Sequence, residues 1–187
     1  NKVVSTEYVY KHCDGYDLKL IVDQAVSDQP TPFVIHCHGG GWSRGDAESG
    51  RSLTKYLAQQ HGITGVRVEY SLYPKPGLDV HVSIQDVLDA VKYMRDNAAM
   101  FNIDPKCVGF IGTSAGAHLA ACAAMMCPDA KVFVGYSGIY DLTTAAIVQR
   151  SKDKDRIAYF CDRDGRELVK ASPVYLIGNK TKVAAQL

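Results

Sequence analysis

The chain lacks the features that mark several functional classes. None of its apolar runs approaches the roughly 18 residues that a membrane-spanning helix needs. Its charge is nearly balanced, with 21 basic and 20 acidic side chains giving a formal +1, and no basic stripe offers a footprint for nucleic acid. No internal repeat, low-complexity tract or inter-domain linker interrupts it. Asp162-Arg163-Asp164-Gly165 starts like a calcium loop but has neither the further acidic ligands nor the closing glutamate, so it reads as a solvated turn, and no metal is expected. Six cysteines (13, 37, 107, 122, 127 and 161) are spread thinly. Cys37, Cys107 and Cys122 fall in segments that read as buried strand or helix, which favours buried thiols over a disulfide framework. No signal peptide is visible and the first residue is Asn1 rather than Met, which leaves the compartment open.

What remains is the composition of one globular domain across 1–187: 47% hydrophobic and 22% charged residues suffice for a sizeable core. β-rich segments at 3–11 and 16–22 meet at Asp14-Gly15, a strong hairpin signal. An apolar strand at 33–37 follows, then a helix at 50–61 with Leu53, Tyr56 and Leu57 on one face, and a strand at 64–69. Helical spacing of Ile84, Val87, Leu88, Val91 and Met94 predicts a helix over 79–97, leading through Asp104-Pro105 to a strand at 107–111. The segment 115–126 is apolar nearly all round, as a helix buried against a sheet must be, and Pro128 closes it before a strand at 131–135. The alternation predicts an α/β fold: a mostly parallel sheet with helices on both faces, an antiparallel N-terminal hairpin, and sites at the carboxyl ends of strands. The charged stretch 151–166, broken only by Ile157, Ala158, Tyr159 and Phe160, reads as a surface excursion.

Two glycine motifs stand at such strand ends. Gly112-Thr113-Ser114-Ala115-Gly116 is a G-x-S-x-G turn between strand and helix, a setting that makes Ser114 a nucleophile; the bland alternative is a glycine turn needed only for packing. His38-Gly39-Gly40-Gly41-Trp42 ends the strand at 33–37, and its bare backbone can present N–H groups to an oxyanion. The donors expected are Ala115, which follows the nucleophile, with Gly40 and Gly41. Together the motifs indicate acyl transfer. Trp42 forms either a wall of the acyl pocket or simple packing, and Tyr70 and Tyr73 either line the cleft or pack beside it. His38 is expected to brace its loop rather than act as a base. His118, one helical turn beyond Ser114, points away from the cleft and reads as a packed histidine.

These residues resemble the α/β-hydrolase fold, and within it the esterase and lipase branch of hormone-sensitive-lipase-like and feruloyl or acetyl-xylan esterase-like enzymes. The likeness also covers Tyr8 to Leu20, Ile84-Gln85-Asp86-Val87, Asn102-Ile103-Asp104-Pro105, Ser137-Gly138-Ile139-Tyr140-Asp141-Leu142 and Ala171-Ser172-Pro173. It implies a serine carboxylic ester hydrolase with no metal or organic cofactor, acting on small acyl esters, including carbohydrate-linked ones. Two alternatives stand beside it: a non-catalytic binding or structural protein on the same scaffold, and an amide or formamide hydrolase. The pattern places the acid and then the base histidine after the nucleophile, yet no histidine follows His118, and Asp141, Asp162 and Asp164 come too early for the acid. The expectation is therefore that residues 1–187 form the N-terminal portion of a longer domain. Its last strands, acid and base would lie outside, and the exposed sheet edge would be covered by a further segment or a second copy.

Overall fold

A computed structural model describes residues 3–160, 166–178 and 184–186. The N-terminal hairpin is β1 (Val4–Cys13) and β2 (Tyr16–Gln24), turned at Gly15 with φ +79°, where a side chain would be strained. β3 (Thr31–Cys37), α1 (Arg51–His61), β4 (Thr64–Val68), α2 (Val80–Asp96) and the short α3 (Ala98–Phe101) follow. Asp79 caps α2 by accepting from the Val82 N–H at 3.1 Å. Then come β5 (Ile103–Thr113), α4 (Ala115–Met126), β6 (Ala130–Tyr136), four short helices α5 (Ala146–Gln149), α6 (Lys154–Tyr159), α7 (Arg166–Lys170) and α8 (Pro173–Leu176), and β7 (Ala184–Gln186).

The described strands form one sheet in the order β1-β2-β4-β3-β5-β6-β7. β2 runs antiparallel to both β1 and β4, and the remaining neighbours are parallel. This is the α/β-hydrolase arrangement expected, and it brings the carboxyl ends of β3, β5 and β6 side by side. Strand alternation assigns the two faces. Val66 and Val68 of β4 join the core beneath α2 and α4, which pack on each other, while Gly65 and Arg67 face α1.

That second face departs from the expected amphipathic pattern of α1. Its buried residues are Thr54 and Ala58, and Tyr56 is turned to solvent, where its ring meets that of His61. The cause is a polar centre. A Cβ on Gly65 would lie 2.4 Å from that of Thr54, so the glycine lets α1 approach β4 closely. Thr54 Oγ1 then donates to Asp23 Oδ2 at 2.6 Å, and Arg67 reaches the same carboxylate through Nε at 2.9 Å and Nη2 at 3.2 Å. Both members of this ion pair are buried.

A second polar tie holds the hairpin to α2: Lys11 Nζ contacts Asp86 Oδ1 at 2.7 Å and Asp89 Oδ2 at 2.6 Å, while Asp86 Oδ2 accepts from the Ser71 N–H. Among the described cysteines, Cys37, Cys122 and Cys127 are buried free thiols, whereas Cys13 and Cys107 are only half-buried. Cys107 thus departs from its expected burial, and Cys161 lies outside the described residues. The stretch 151–160 is less of a surface excursion than its charge implies. Tyr159 and Phe160 are buried, the first tilted against Tyr73 and the second edge-on to Trp42. The calcium-like stretch 162–165 lies outside the described residues. No helix among the described residues is long and apolar enough to cross a membrane.

Candidate active site

Ser114 follows the last residue of β5 with φ +53° and ψ −120°, a conformation that L-residues avoid and that functional turns retain at a cost of about 1–3 kcal/mol. Two hydrogen bonds and two glycines hold it there. Its N–H donates to the Tyr136 carbonyl at the end of β6 at 2.8 Å, its carbonyl accepts from the His118 N–H at 3.2 Å, and the two flanking glycines allow the bend. A Cβ on Gly112 would sit 2.4 Å from the Gly116 carbonyl oxygen, and one on Gly116 would sit 2.2 Å from that of Cys37 and 2.3 Å from that of His38. Side chains at either position would push α4 off β3 and β5. Ser114 is half-exposed, and among the described residues nothing hydrogen-bonds to its hydroxyl. It also stands at the N-terminus of α4, where the helix dipole favours negative charge.

The glycine loop lies against this elbow. A Cβ on Gly39 would approach the Thr113 carbonyl oxygen to 3.1 Å and the Ser114 Cβ to 3.5 Å. Gly40, Gly41 and Trp42 all take positive φ, at +128°, +60° and +61°. Gly40 is tied down through its carbonyl, which accepts from the Ser43 and Arg44 N–H groups at 3.2 Å each and leaves its own N–H out of these bonds. The structure thus brings Ser114, Ala115 and the 39–41 loop together at neighbouring strand ends.

Trp42 is fully buried beneath the loop and presents no surface to the cleft. Its indole N–H donates to His118 Nδ1 at 3.1 Å, and His118 Nε2 in turn donates to the Ala171 carbonyl at 2.7 Å. Both imidazole nitrogens are therefore occupied, so His118 is a packed link between the loop, α4 and residue 171. His38 braces its loop: Nδ1 donates to the Gly39 carbonyl at 2.7 Å, and the ring stacks on Tyr70 with centroids 4.4 Å apart. Tyr70 adds a hydrogen bond from its hydroxyl to the His38 carbonyl at 2.7 Å, which sequence reading did not anticipate. Tyr73 is buried and accepts from Arg156 Nε at 2.8 Å. His12 pairs with Asp17 on the hairpin, His61 sits at the end of α1 and His81 at the start of α2 beside Glu167. Ser137, the first residue after β6, was given no role by sequence reading; the sheet places it beside the elbow, with φ +52°. Among the described residues no cluster of three or more His, Cys, Asp or Glu side chains could hold a metal ion.

Burial keeps the interior histidines neutral. It pushes His118 from 6.5 down to about 4 against the pull of its bond to Ala171, and His36 likewise to about 4, helped by nearby His38 and Arg67. The unfolded chain therefore binds more protons than the folded one between these values, so stability is full above pH 6.5 and is lost as the pH falls toward 4. Urea midpoints measured across this window should decline steadily. His118→Gln, which can still accept from Trp42 and donate to Ala171, should make the decline shallower and leave the part due to His36, and a flat wild-type profile would contradict the neutral assignment.

A family model described as BD-FAE matches residues 7–185. The arylesterase of Saccharolobus solfataricus is 25% identical over 150 residues, covering 80% of this chain and 48% of that protein. The acetyl esterase of Salmonella schwarzengrund (strain CVM19633) is 26% identical over 179 residues, covering 85% of this chain and 54% of its own length. Esterase 2 of Thermogutta terrifontis, solved phosphonylated by sarin, superposes with a TM-score of 0.76 at 24% identity, over 92% of this chain and 68% of that one. Its butyrate-bound form gives 0.75 at 25% identity, over 92% and 67%. The chain spans about half the length of these curated relatives and about two thirds of these solved structures.

Proposed function

Because the chain belongs to the BD-FAE family, we propose that it carries the nucleophile and oxyanion hole of a serine carboxylic ester hydrolase. The observation that supports this most is the left-handed Ser114, locked between Gly112 and Gly116 and facing the Gly39–Gly41 loop, where a Cβ on Gly39 would come within 3.1 Å of the Thr113 carbonyl oxygen. In the proposed reaction Ser114 Oγ attacks the ester carbonyl carbon and its proton passes to a base. The carbonyl oxygen becomes an oxyanion held by the N–H groups of Ala115, Gly40 and Gly41. Collapse expels the alcohol, which takes the proton from the base. Water then attacks the acyl-serine by the same route and releases the acid.

All six histidines are accounted for by other contacts or other places in the fold, and none hydrogen-bonds to the Ser114 hydroxyl. The base and its orienting acid are therefore proposed to come from residues outside these 187. Small acyl groups fit the names of the relatives, which include an acetyl esterase, and a neighbouring structure was solved with butyrate bound. Carbohydrate-linked esters, which rest on resemblance alone, are the class to try after simple acetates.

The occupied nitrogens of His118 equally favour the second reading, a non-catalytic scaffold, and one experiment separates the two. Fluorophosphonate treatment of the natural full-length protein should add one phosphonyl mass, mapped to the peptide containing Ser114, at a rate far above background. Labelling no faster than that of a free serine would leave the scaffold reading.

A further inference from the structure

A second serine stands beside the elbow and shares its positive φ. Ser137, the residue after β6, has φ +52°. Its position relative to Ser114 is fixed by the sheet, because Thr113 pairs with Tyr136 and the Ser114 N–H donates to the Tyr136 carbonyl, the carbonyl of the peptide unit that carries the Ser137 N–H. Ser137 is exposed, and among the described residues its hydroxyl makes no hydrogen bond that would offset the strain. Glycine is the residue that takes such a φ freely. The chain does place a glycine in this turn, but one position later: a Cβ on Gly138 would lie 2.3 Å from the Tyr140 hydroxyl, so glycine there lets that ring lie close over the turn. At 137, where conformation alone favours glycine, a hydroxyl is kept instead.

β5 lies between β3 and β6 in the sheet, so Ser114 has the glycine loop on one flank and Ser137 on the other. An ester carbonyl oxygen turned toward Gly40, Gly41 and Ala115 leaves two substituents, the acyl chain and the alkoxy group, one of which would pass over the end of β6. We propose that Ser137 is a substrate-contacting, specificity-determining residue, whose hydroxyl hydrogen-bonds a polar group on that substituent. The preferred substrates are then small esters that carry a hydroxyl close to the scissile bond. This inference rests on the esterase reading of Ser114.

The test compares isosteric ester pairs in the natural full-length protein and in its Ser137→Ala variant, which keeps the Cβ. 2-Hydroxyethyl acetate against propyl acetate probes the alcohol side, and ethyl hydroxyacetate against ethyl propionate probes the acyl side. The kcat/KM ratio of hydroxylated to plain ester should fall about fivefold in one pair, the worth of one net hydrogen bond. The pair that responds names the substituent lying over β6. Ser137→Gly should show the same loss while raising Tm by about 2–4 °C through relief of the strained backbone. Unchanged ratios in both pairs, with Ser114 still taking fluorophosphonate, overturn this inference alone, and a lower Tm for Ser137→Gly removes its premise of strain. Absence of both turnover and labelling in the wild type sinks the esterase reading and this inference with it.

Discussion

Replacing Ser114 with alanine should reduce turnover of p-nitrophenyl acetate by the natural full-length protein by roughly a millionfold, the scale on which a serine hydrolase loses rate with its nucleophile. The remaining rate would be that of the oxyanion hole and binding alone. Folding should be untouched. Alanine keeps the Cβ and hence the same φ, the backbone bonds to Tyr136 and His118 do not involve the side chain, and among the described residues no group hydrogen-bonds to the hydroxyl. Circular dichroism and Tm matching the wild type, together with lost turnover, would isolate the oxygen as the reacting atom. A variant that kept wild-type kinetics would place the chemistry elsewhere and reduce the G-x-S-x-G turn to packing.

The largest effect on stability is expected at Asp23. Its carboxylate accepts from Arg67, Thr54 and Ser5, and the guanidinium it faces is about 1% exposed. Asp23→Ala leaves a buried positive charge whose other contacts are the Ala47 carbonyl at 3.1 Å and the exposed Glu48 at 3.3 Å. Removing one partner of such a pair costs about 3–5 kcal/mol. Whole domains are stable by only about 5–15 kcal/mol, so the urea midpoint should drop by a large fraction of its value. Replacing both partners with apolar residues of similar volume, Asp23→Leu with Arg67→Met, should recover much of the loss, because no charge is then left stranded. A loss under about 1 kcal/mol for Asp23→Ala would mean that Glu48 takes over the guanidinium.

Legibility followed the range of the interaction. The hairpin at Asp14-Gly15, the elbow and the glycine loop are set by backbone rules that act within a few residues, and each stands where its residues placed it. Even so, the contact that makes Gly116 necessary is with the carbonyls of Cys37 and His38, almost eighty positions away, so the reason for that glycine becomes visible only in the fold. The face of α1 was misjudged because hydrophobic spacing cannot register a buried ion pair. Asp23 and Arg67 meet only once β2 and β4 are neighbours, and Thr54 turns inward to serve them. Charge likewise concealed Tyr159 and Phe160, two aromatic anchors in a stretch whose average is polar. Trp42 was legible as a residue of the glycine loop but not as a buried donor, since its acceptor on α4 is 76 residues distant.

The burial of that tryptophan gives the molecule a built-in optical reporter. The chain has one indole, and it lies directly beneath the glycine loop, edge-on to Phe160 and hydrogen-bonded to His118. Emission excited at the red edge of protein absorbance, where tyrosine does not contribute, therefore comes from a single place. Any event that shifts the loop, charges the imidazole or lets water reach the ring alters the colour or yield of that one emitter. A stopped-flow trace of intrinsic fluorescence can thus follow the glycine loop in real time without a dye, a label or an engineered probe.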